Sequence, residues 1–597
     1  MSILETINNC NDIKKLNINE LKTLSNELRD LIIETTRLNG GHLASNLGTV
    51  DLIVALFYVF DFNKDKIIFD VGHQSYAYKI LTDRFKNFST LRTEGGISGF
   101  PDSFESNYDA FSSGHAGTSI SASLGYCFSR DYLNQNYYVV NMVGDASFFN
   151  GENLEAITYS DKKPNDFIVI FNDNGMSIDK NTNAFYKVVS KVTTTKKYNS
   201  FNNFLGRTIG KCFIGKMLMR FKLFLKRSLT LNTFIDSLGL KYVGVFDGHD
   251  IKTLIKILNN VKQSKNATFL HIKTKKGKGY NEAEENSSKF HGVSANLEKS
   301  NNYFSNNVSQ IMCKLKEKTP NLVAITAGMK DGVGLTDFAK IHASSFVDVG
   351  IAEECSITLA GGMAKGGLKP IVFIYSTFLQ RGYDQILHDI CMQNLPVVIC
   401  IDRAGFVGSD GKTHQGLFDV SFLSHLPNLT IFAPKNISEF EVMLELAIKL
   451  NSPVCIRYPN GEKIALETTE TINEQLSWEY VNKGKNNTIL AVGPRMNELA
   501  LKVLNEVKDI NVINARTIKP LDAKILLEIK NTNVITLEEN VKQGGFGAMV
   551  LNFYKENNHN TNVNIVAVKD DFINHASIHS QLISNGFTLE NIKKLLI

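Results

Sequence analysis

Short runs of β-branched and aromatic residues alternate along this chain with longer segments in which apolar residues recur at helical spacing. The runs Ile67–Val71, Tyr137–Val143, Phe167–Phe171 and Thr268–Ile272 predict the strands of a first block, residues 1–300. Leu322–Thr326, Pro370–Ile374, Val397–Ile401, Thr430–Ala433 and Val454–Arg457 predict those of a second, 310–465. Thr488–Val492, Asn511–Asn514, Asn533–Leu537 and Val563–Val568 predict those of a third, 480–597. Near-continuous apolar strands are buried on both faces, so the pattern predicts an α/β protein of three domains with mainly parallel sheets flanked by helices. The polar stretches Glu282–Asn307 and Thr468–Asn487 read as connections between blocks, and no short internal repeat is visible.

Two of these strands deliver polar residues to one place. Tyr137–Val143 leads into Gly144-Asp145-Ala146, and Phe167–Phe171 leads into Asn172-Asp173-Asn174, with helical spacing around Glu152 to Tyr159 between them. Strand, helix, strand over this length predicts a βαβ unit whose parallel strands end on one edge. Ligands of open parallel sheets bind at that edge. Asp145 and Asn174 would bring a carboxylate and an amide oxygen there, hard ligands suited to Mg²⁺ that also holds a diphosphate. Taken alone, the Gly-Asp pair is better read as strand-end polar residues capping a turn.

The length of 597 residues suits about three cores. An apolar fraction of 43%, a charged fraction of 21% and a net charge of +5 describe a soluble globular protein with no need of nucleic acid. No signal peptide is evident and no apolar run approaches ~18 residues, so no membrane span is expected. Eight cysteines without a Cys-x-x-Cys pair fit a reducing, cytoplasmic setting. The segment Lys211 to Arg227 interleaves basic and apolar residues and reads as a surface helix, with a membrane or partner contact as the alternative. Five of thirteen histidines, His42, His73, His115, His291 and His414, lie in or beside glycine-containing turns, suggesting a crowded polar cleft rather than a zinc site.

The Gly-Asp to Asn layout resembles the thiamine diphosphate motif. Gly40–Leu52, Asp70–Arg84, Thr274–Tyr280, Ser376–Asp384 and Asp402–Asp419 are, in order, similar to the 1-deoxy-D-xylulose-5-phosphate synthase family, which is transketolase-like. The resemblance runs from near the N-terminus into the third block, with 183–230 poorly matched. It implies a thiamine diphosphate- and Mg²⁺-dependent transferase joining pyruvate to glyceraldehyde 3-phosphate with loss of carbon dioxide, at the entry to isoprenoid precursor synthesis and supplying thiamine and pyridoxal synthesis. It also implies a homodimer, with the coenzyme between the first two domains of a single chain.

The resemblance further implies roles. Asp145, Asn174 and the Met176 carbonyl would hold the metal. His73, Gly114, His115, Ala116, Ala146, Ser147, Asn174 and Tyr280 would line the coenzyme site. Glu353 would contact the aminopyrimidine N1′, a task suited to a carboxyl whose pKa is raised in a partly apolar pocket. His42, His291 and His414 would stand near the reacting atoms. Tyr375, Arg381, Arg403, Asp410, His414 and Arg457 would form the acceptor pocket, with the arginine forks on phosphate. Two departures are visible: Ala146 replaces a motif glycine, and Cys355-Ser356 stands where the family commonly has His-Ala. Transketolase-type ketol transfer is one alternative; a weakly active or non-catalytic coenzyme-binding paralogue is another. The third domain reads as structural, its Glu538-Glu539-Asn540 echoing a family motif without an evident chemical role.

Overall fold

The computed structural model describes residues 2–159, 162–175, 231–295, 302–466 and 477–596. It divides into two compact units, Met1–Leu91 with Gly96–Glu298 and Arg92–Gly95 with Lys299–Ile597. Met176 and the basic segment 211–227 lie outside the described residues.

The first unit is built on β1 (Lys66–Phe69), β2 (Val139–Gly144), β3 (Phe167–Asp173), β4 (Lys241–Asp247) and β5 (Thr268–Lys273), ordered β1-β2-β3-β5-β4 and parallel throughout. Alternate residues of each central strand enter different cores. Val140, Met142, Ile168 and Ile170 pack toward the helix Leu43–Val59, and Val139, Val143, Phe167 and Val169 pack on the other face. Each such buried side chain contributes roughly 1.5–3 kcal/mol. The predicted βαβ unit is present: β2 and β3 pair directly, and the crossover carries the helices Asp145–Phe148 and Gly151–Thr158. Strand β4 was not foreseen. It is a half-exposed edge strand, with Lys241, Gly244 and Asp247 interrupting its apolar residues.

The second unit holds β6 (Leu322–Thr326), β7 (Phe346–Asp348), β8 (Lys369–Tyr375), β9 (Val398–Asp402), β10 (Thr430–Phe432) and β11 (Val454–Arg457). It continues with β12 (Glu479–Asn482), β13 (Asn487–Ala491), β14 (Ile510–Asn514), β15 (Thr517–Lys519), β16 (Asn533–Val541) and β17 (Val563–Val568). Two sheets result, β15-β10-β11-β9-β8-β6-β7 and β12-β14-β13-β16-β17, in which β15 and β12 run antiparallel to their neighbours. The stretch Thr468–Asn487, expected as a connection, therefore contains strand β12. Glu282–Asn307 likewise holds the helix Asn281–Glu285 in part and the start of Tyr303–Lys318. One core joins both sheets: Ile399, Ile401, Leu490, Ile513 and Tyr554 belong to it. Trp478 is buried there, its indole N–H donating to the Thr517 carbonyl at 2.8 Å. Three sheets thus occupy two compact units. Among the described residues no helix is long and apolar enough to cross a membrane.

Candidate functional site

In the first unit the strand ends and the glycine-rich turns converge. Asp145 opens the helix Asp145–Phe148 immediately after β2 and is 1% exposed. Its Oδ2 is buried without a hydrogen-bond partner. Burial, then the charge of Asp173, pushes its carboxyl up to about 8, while Lys276 pulls the other way. A buried carboxylate with an orphaned oxygen beside a second carboxylate is a site that a dication would satisfy. Asn174 follows β3 and is half-buried. The amide of Gly175 donates to Asp173 Oδ1 at 3.1 Å, closing the turn on which Asn174 sits. Among the described residues no group of three or more His, Cys, Asp or Glu is arranged to hold a metal. The expected magnesium set is of another kind, with one carboxylate, one amide oxygen and one main-chain carbonyl.

The turn after β1 and the loop holding Gly114, His115 and Ala116 are fixed by Asp70. Its carboxylate accepts the amides of Gly117 at 3.0 Å and Ser119 at 3.3 Å, the Ser119 hydroxyl at 2.7 Å and Asn153 Nδ2 at 3.1 Å. Asn153 also donates to the carbonyl of Ser147 at 2.9 Å, tying the loop to the helix that carries Ala146 and Ser147. The approach is close: a Cβ on Gly117, whose φ is +91°, would lie 2.1 Å from Asn150 Oδ1. Ala146 lies within that short helix, an ordinary backbone conformation in which its methyl causes no strain.

Three predicted histidines come together. The ring centroids of His42, His73 and His291 are 5.9, 5.6 and 5.5 Å apart pairwise, with Phe100 5.3 Å from His42. Asn46 clamps the group by donating to the carbonyls of His42 and His73 at 2.6 and 2.8 Å. Ser45 Oγ lies 3.2 Å from His291 Nδ1. Burial, then His42 and Lys276, holds His73 well below the ordinary imidazole range, and burial, then Lys276, His73 and His42, does the same to His291. Both are neutral at pH 7. The structure does not bring the Tyr280 hydroxyl into this cluster: it donates to Glu282 Oε2 at 2.8 Å, while its ring packs edge-on against Phe290.

Sequence reasoning missed several residues here. Lys276 is buried, and its charge acts on Asp145, His73 and His291, so it joins the Asp145 corner to the histidines. Gln74 bridges the two places, 3.5 Å from His73 Nε2 and accepting from Asn172 Nδ2 at 3.3 Å. Behind Asp173 lies His271 of β5, whose Nε2 is 2.9 Å from Asp173 Oδ2 and whose Nδ1 is 2.8 Å from the Tyr242 hydroxyl on β4. With Asp173 as carboxylate, Nε2 carries the proton and Tyr242 donates to Nδ1. Gly277 and Gly279, just after Lys276, were a signal available in the sequence; the pairing of β4 with β5 was not.

In the second unit Glu353 is the first residue of the helix Glu353–Lys365 and is 4% exposed. Its Oε2 has no hydrogen-bond partner, and Arg381 Nη1 lies 3.8 Å away, an ion-pair distance too long for a hydrogen bond. Burial pushes the carboxyl up to about 7 against the pull of Arg381. The structure thus places Arg381 beside Glu353. Cys355 is exposed.

Tyr375, Arg403 and Arg457, expected in the acceptor pocket, lie at the ends of β8, β9 and β11. The Arg403 guanidinium lies over the Tyr375 ring, 3.7 Å from its centroid, and donates to the Gly332 carbonyl at 3.2 Å. Its Nη1 is also 3.1 Å from Asp402 Oδ2, and among the described residues its Nη2 has no partner. Burial raises the Tyr375 phenol, so it is a donor at neutral pH. His414 stands next to Phe378, with Thr413 Oγ1 2.8 Å from its Nδ1, and burial lowers its pKa. Arg92 donates to Ser409 Oγ at 2.7 Å and pairs with Asp410 at 2.9 Å. Arg457 departs from expectation. Its Nε and Nη2 grip Asp419 at 2.9 and 3.0 Å, and Nη2 also reaches the Glu539 carbonyl at 3.1 Å. The expected open fork is spent on a buried carboxylate, leaving Nη1.

Comparison with known proteins decides the family. The model described as 1-deoxy-D-xylulose-5-phosphate synthase matches residues 4–274. Those described as the transketolase pyrimidine binding domain and the transketolase C-terminal domain match 304–463 and 476–592. The 1-deoxy-D-xylulose-5-phosphate synthase of Clostridium perfringens (strain SM101 / Type A) is 43% identical, covering 100% of this chain and 99% of the relative. This chain belongs to the 1-deoxy-D-xylulose-5-phosphate synthase family. The same-named protein of Clostridium tetani is 43% identical over 98% of this chain and 97% of its own length. That of Carboxydothermus hydrogenoformans is 43% identical over 99% and 98%. Membership makes the fold transketolase-like and the protein a transferase, as the resemblance implied.

Proposed function

We propose that this chain condenses pyruvate with D-glyceraldehyde 3-phosphate, giving 1-deoxy-D-xylulose 5-phosphate and carbon dioxide, with thiamine diphosphate and Mg²⁺. The observation that carries this reading is full-length identity of 43% to synthases of that name. The geometry supports it. Asp145 and the Asn174 side chain, with the Met176 carbonyl, would hold the metal, and the orphaned Asp145 Oδ2 fits that task. Loop 114–116 and the helix of Ala146 and Ser147 would receive the diphosphate, whose charge suits main-chain amides. Glu353, with its raised carboxyl and an Oε2 that makes no hydrogen bond, would share a proton with the aminopyrimidine nitrogen. When bound, the coenzyme supplies the electron sink that lets a 2-oxo acid lose carbon dioxide, a task no side chain performs well.

The chain's own groups do the rest. His42 and the neutral His73 and His291 would line the reacting end. His291, with Nδ1 against Ser45, presents Nε2 to give or take a proton without carrying a buried charge. Arg403, Tyr375 and the remaining Nη1 of Arg457 would hold the acceptor phosphate. The segments 1–300, 310–465 and 480–597 would serve as diphosphate-binding, aminopyrimidine-binding and C-terminal domains. The same reading carries a homodimer and a cytoplasmic location; light scattering on the eluting protein tests the first. Purified protein with thiamine diphosphate, Mg²⁺, pyruvate and glyceraldehyde 3-phosphate should release carbon dioxide and form the ketose phosphate. Failure with folded protein, or turnover with xylulose 5-phosphate in place of pyruvate, would overturn the reading.

A further inference from the structure

The third sheet was expected to be scaffolding, yet the end of β16 reaches the acceptor residues. Glu539 is 4% exposed, and its Oε1 accepts the amide of Phe406 at 3.3 Å and Arg495 Nη1 at 2.6 Å. Arg495 in turn donates to the carbonyls of Phe406 at 3.3 Å and Asn460 at 2.6 Å. Phe406 closes the turn Arg403-Ala404-Gly405 that leaves β9. Arg403 holds φ +58° there, and Gly405 holds φ +87° with no room for a Cβ, which would lie 2.8 Å from Glu539 Oε1. On its other side the Glu539 carbonyl accepts Arg457 Nη2, the same arginine that Asp419 grips. One residue therefore touches the turn bearing Arg403 with its side chain and Arg457 with its main chain. The neighbours of Glu539 serve different ends. Glu538 accepts the amides of Phe546 and Gly547, and Asn540 donates to Ser421 Oγ at 2.8 Å.

We propose that Glu539 is a positioning residue for the phosphorylated acceptor, setting Arg403 and Arg457 at their working separation from the C-terminal sheet. This rests on the reading of those arginines as phosphate ligands. A buried carboxylate is needed because one oxygen must accept both a main-chain amide and a guanidinium, whose charge balances it. A glutamine presents an amide that carries no charge and satisfies Arg495 less well. Substrate phosphate is the only acceptor group that feels the arginine pair, so the effect is confined to it.

The test uses full-length Glu539→Gln and Arg495→Lys with coenzyme and Mg²⁺, comparing D-glyceraldehyde 3-phosphate with unphosphorylated D-glyceraldehyde. Glu539→Gln should raise the KM for the phosphorylated acceptor about tenfold, the loss of one charge-assisted hydrogen bond. The KM for D-glyceraldehyde, the KM for pyruvate and coenzyme uptake should stay unchanged. Arg495→Lys keeps the charge but not the fork and should shift the same constant in the same direction, giving a second reading should Glu539→Gln not fold. An unchanged KM for the phosphorylated acceptor would overturn the proposal, as would an equal loss with both aldehydes, which marks general damage. Should the unmodified enzyme fail to distinguish the two aldehydes, the phosphate reading of the arginines itself falls. Discrimination that is undiminished in both variants sinks the role of Glu539 alone.

Discussion

Replacing Glu353 by glutamine should make the coenzyme-free protein more stable and the enzyme far slower, and the two effects share one cause. Burial raises this carboxyl from the ordinary 4.5 to about 7. Below pH 4.5 the folded and unfolded chains both hold the proton, and nothing is lost. Between 4.5 and about 7 only the folded chain holds it, so stability falls as pH rises by roughly 1.4 kcal/mol per unit. Above about 7 both are ionised, and the full cost of a buried charge, roughly 3 kcal/mol, is present. Glutamine fills the same space and does not titrate. At pH 8 the Glu353→Gln protein, free of coenzyme and magnesium, should melt about 5 °C above the unmodified chain, taking the unfolding entropy of a unit of about 300 residues. At pH 5 the difference should shrink to about 1 °C. Turnover should fall by about 10²–10⁴, the usual worth of a positioned general acid–base. Melting curves at both pH values and a carbon dioxide release assay check this. Coincident melting at pH 8, or undiminished turnover, would refute the reasoning.

Asp145→Asn should abolish magnesium-dependent coenzyme uptake in calorimetry while raising the melting point of the coenzyme-free protein at pH 7, because it removes a buried carboxyl facing Asp173. His271→Phe should weaken that uptake by about 10- to 100-fold, as loss of an outer-shell partner does, since Asp173 and the turn bearing Asn174 lose their anchor. Gly117→Ala should destabilise by roughly 2 kcal/mol or more, read by thermal melting, because φ is +91° and Asn150 occupies the space. Ala146→Gly should leave coenzyme affinity within about twofold and cost ~0.5–1 kcal/mol of stability, since the methyl sits on helical backbone.

What the sequence conveyed about the fold divides along a physical line. Every strand with a neighbour on each side was legible, because continuous apolar runs such as Phe167–Phe171 have no other economical placement. The four strands missed, β4, β7, β12 and β15, all lie at sheet edges. An edge strand needs partners on one side only, so Lys241–Asp247 and Glu479–Asn482 can carry Gly, Asp and Asn at positions where a central strand would carry Val or Ile. The loss matters for chemistry. β4 brings Tyr242 to His271, and with that pairing unseen the anchor behind Asp173 could not be inferred.

The candidate site was legible to the extent that its residues lie next to strand ends and glycine turns. Asp145, Asn174, His42, His73 and His291 are placed by elements the apolar pattern announces, and in the structure the three imidazoles touch. Arg457 shows where that reasoning stops. Its place at the end of β11 was expected, but its fork is committed to Asp419, and that partner lies 38 residues away in sequence. A guanidinium's position follows from local pattern; what it holds depends on which distant acid arrives at the same strand end. The same holds for Glu353 and Asp145, whose raised pKa values come first from burial. Both are carboxyls placed where water is excluded and left with an oxygen unsatisfied. In the proposed reading, a cation at Asp145 and a basic ring nitrogen at Glu353 would return the stability that these two unsatisfied buried carboxyls cost.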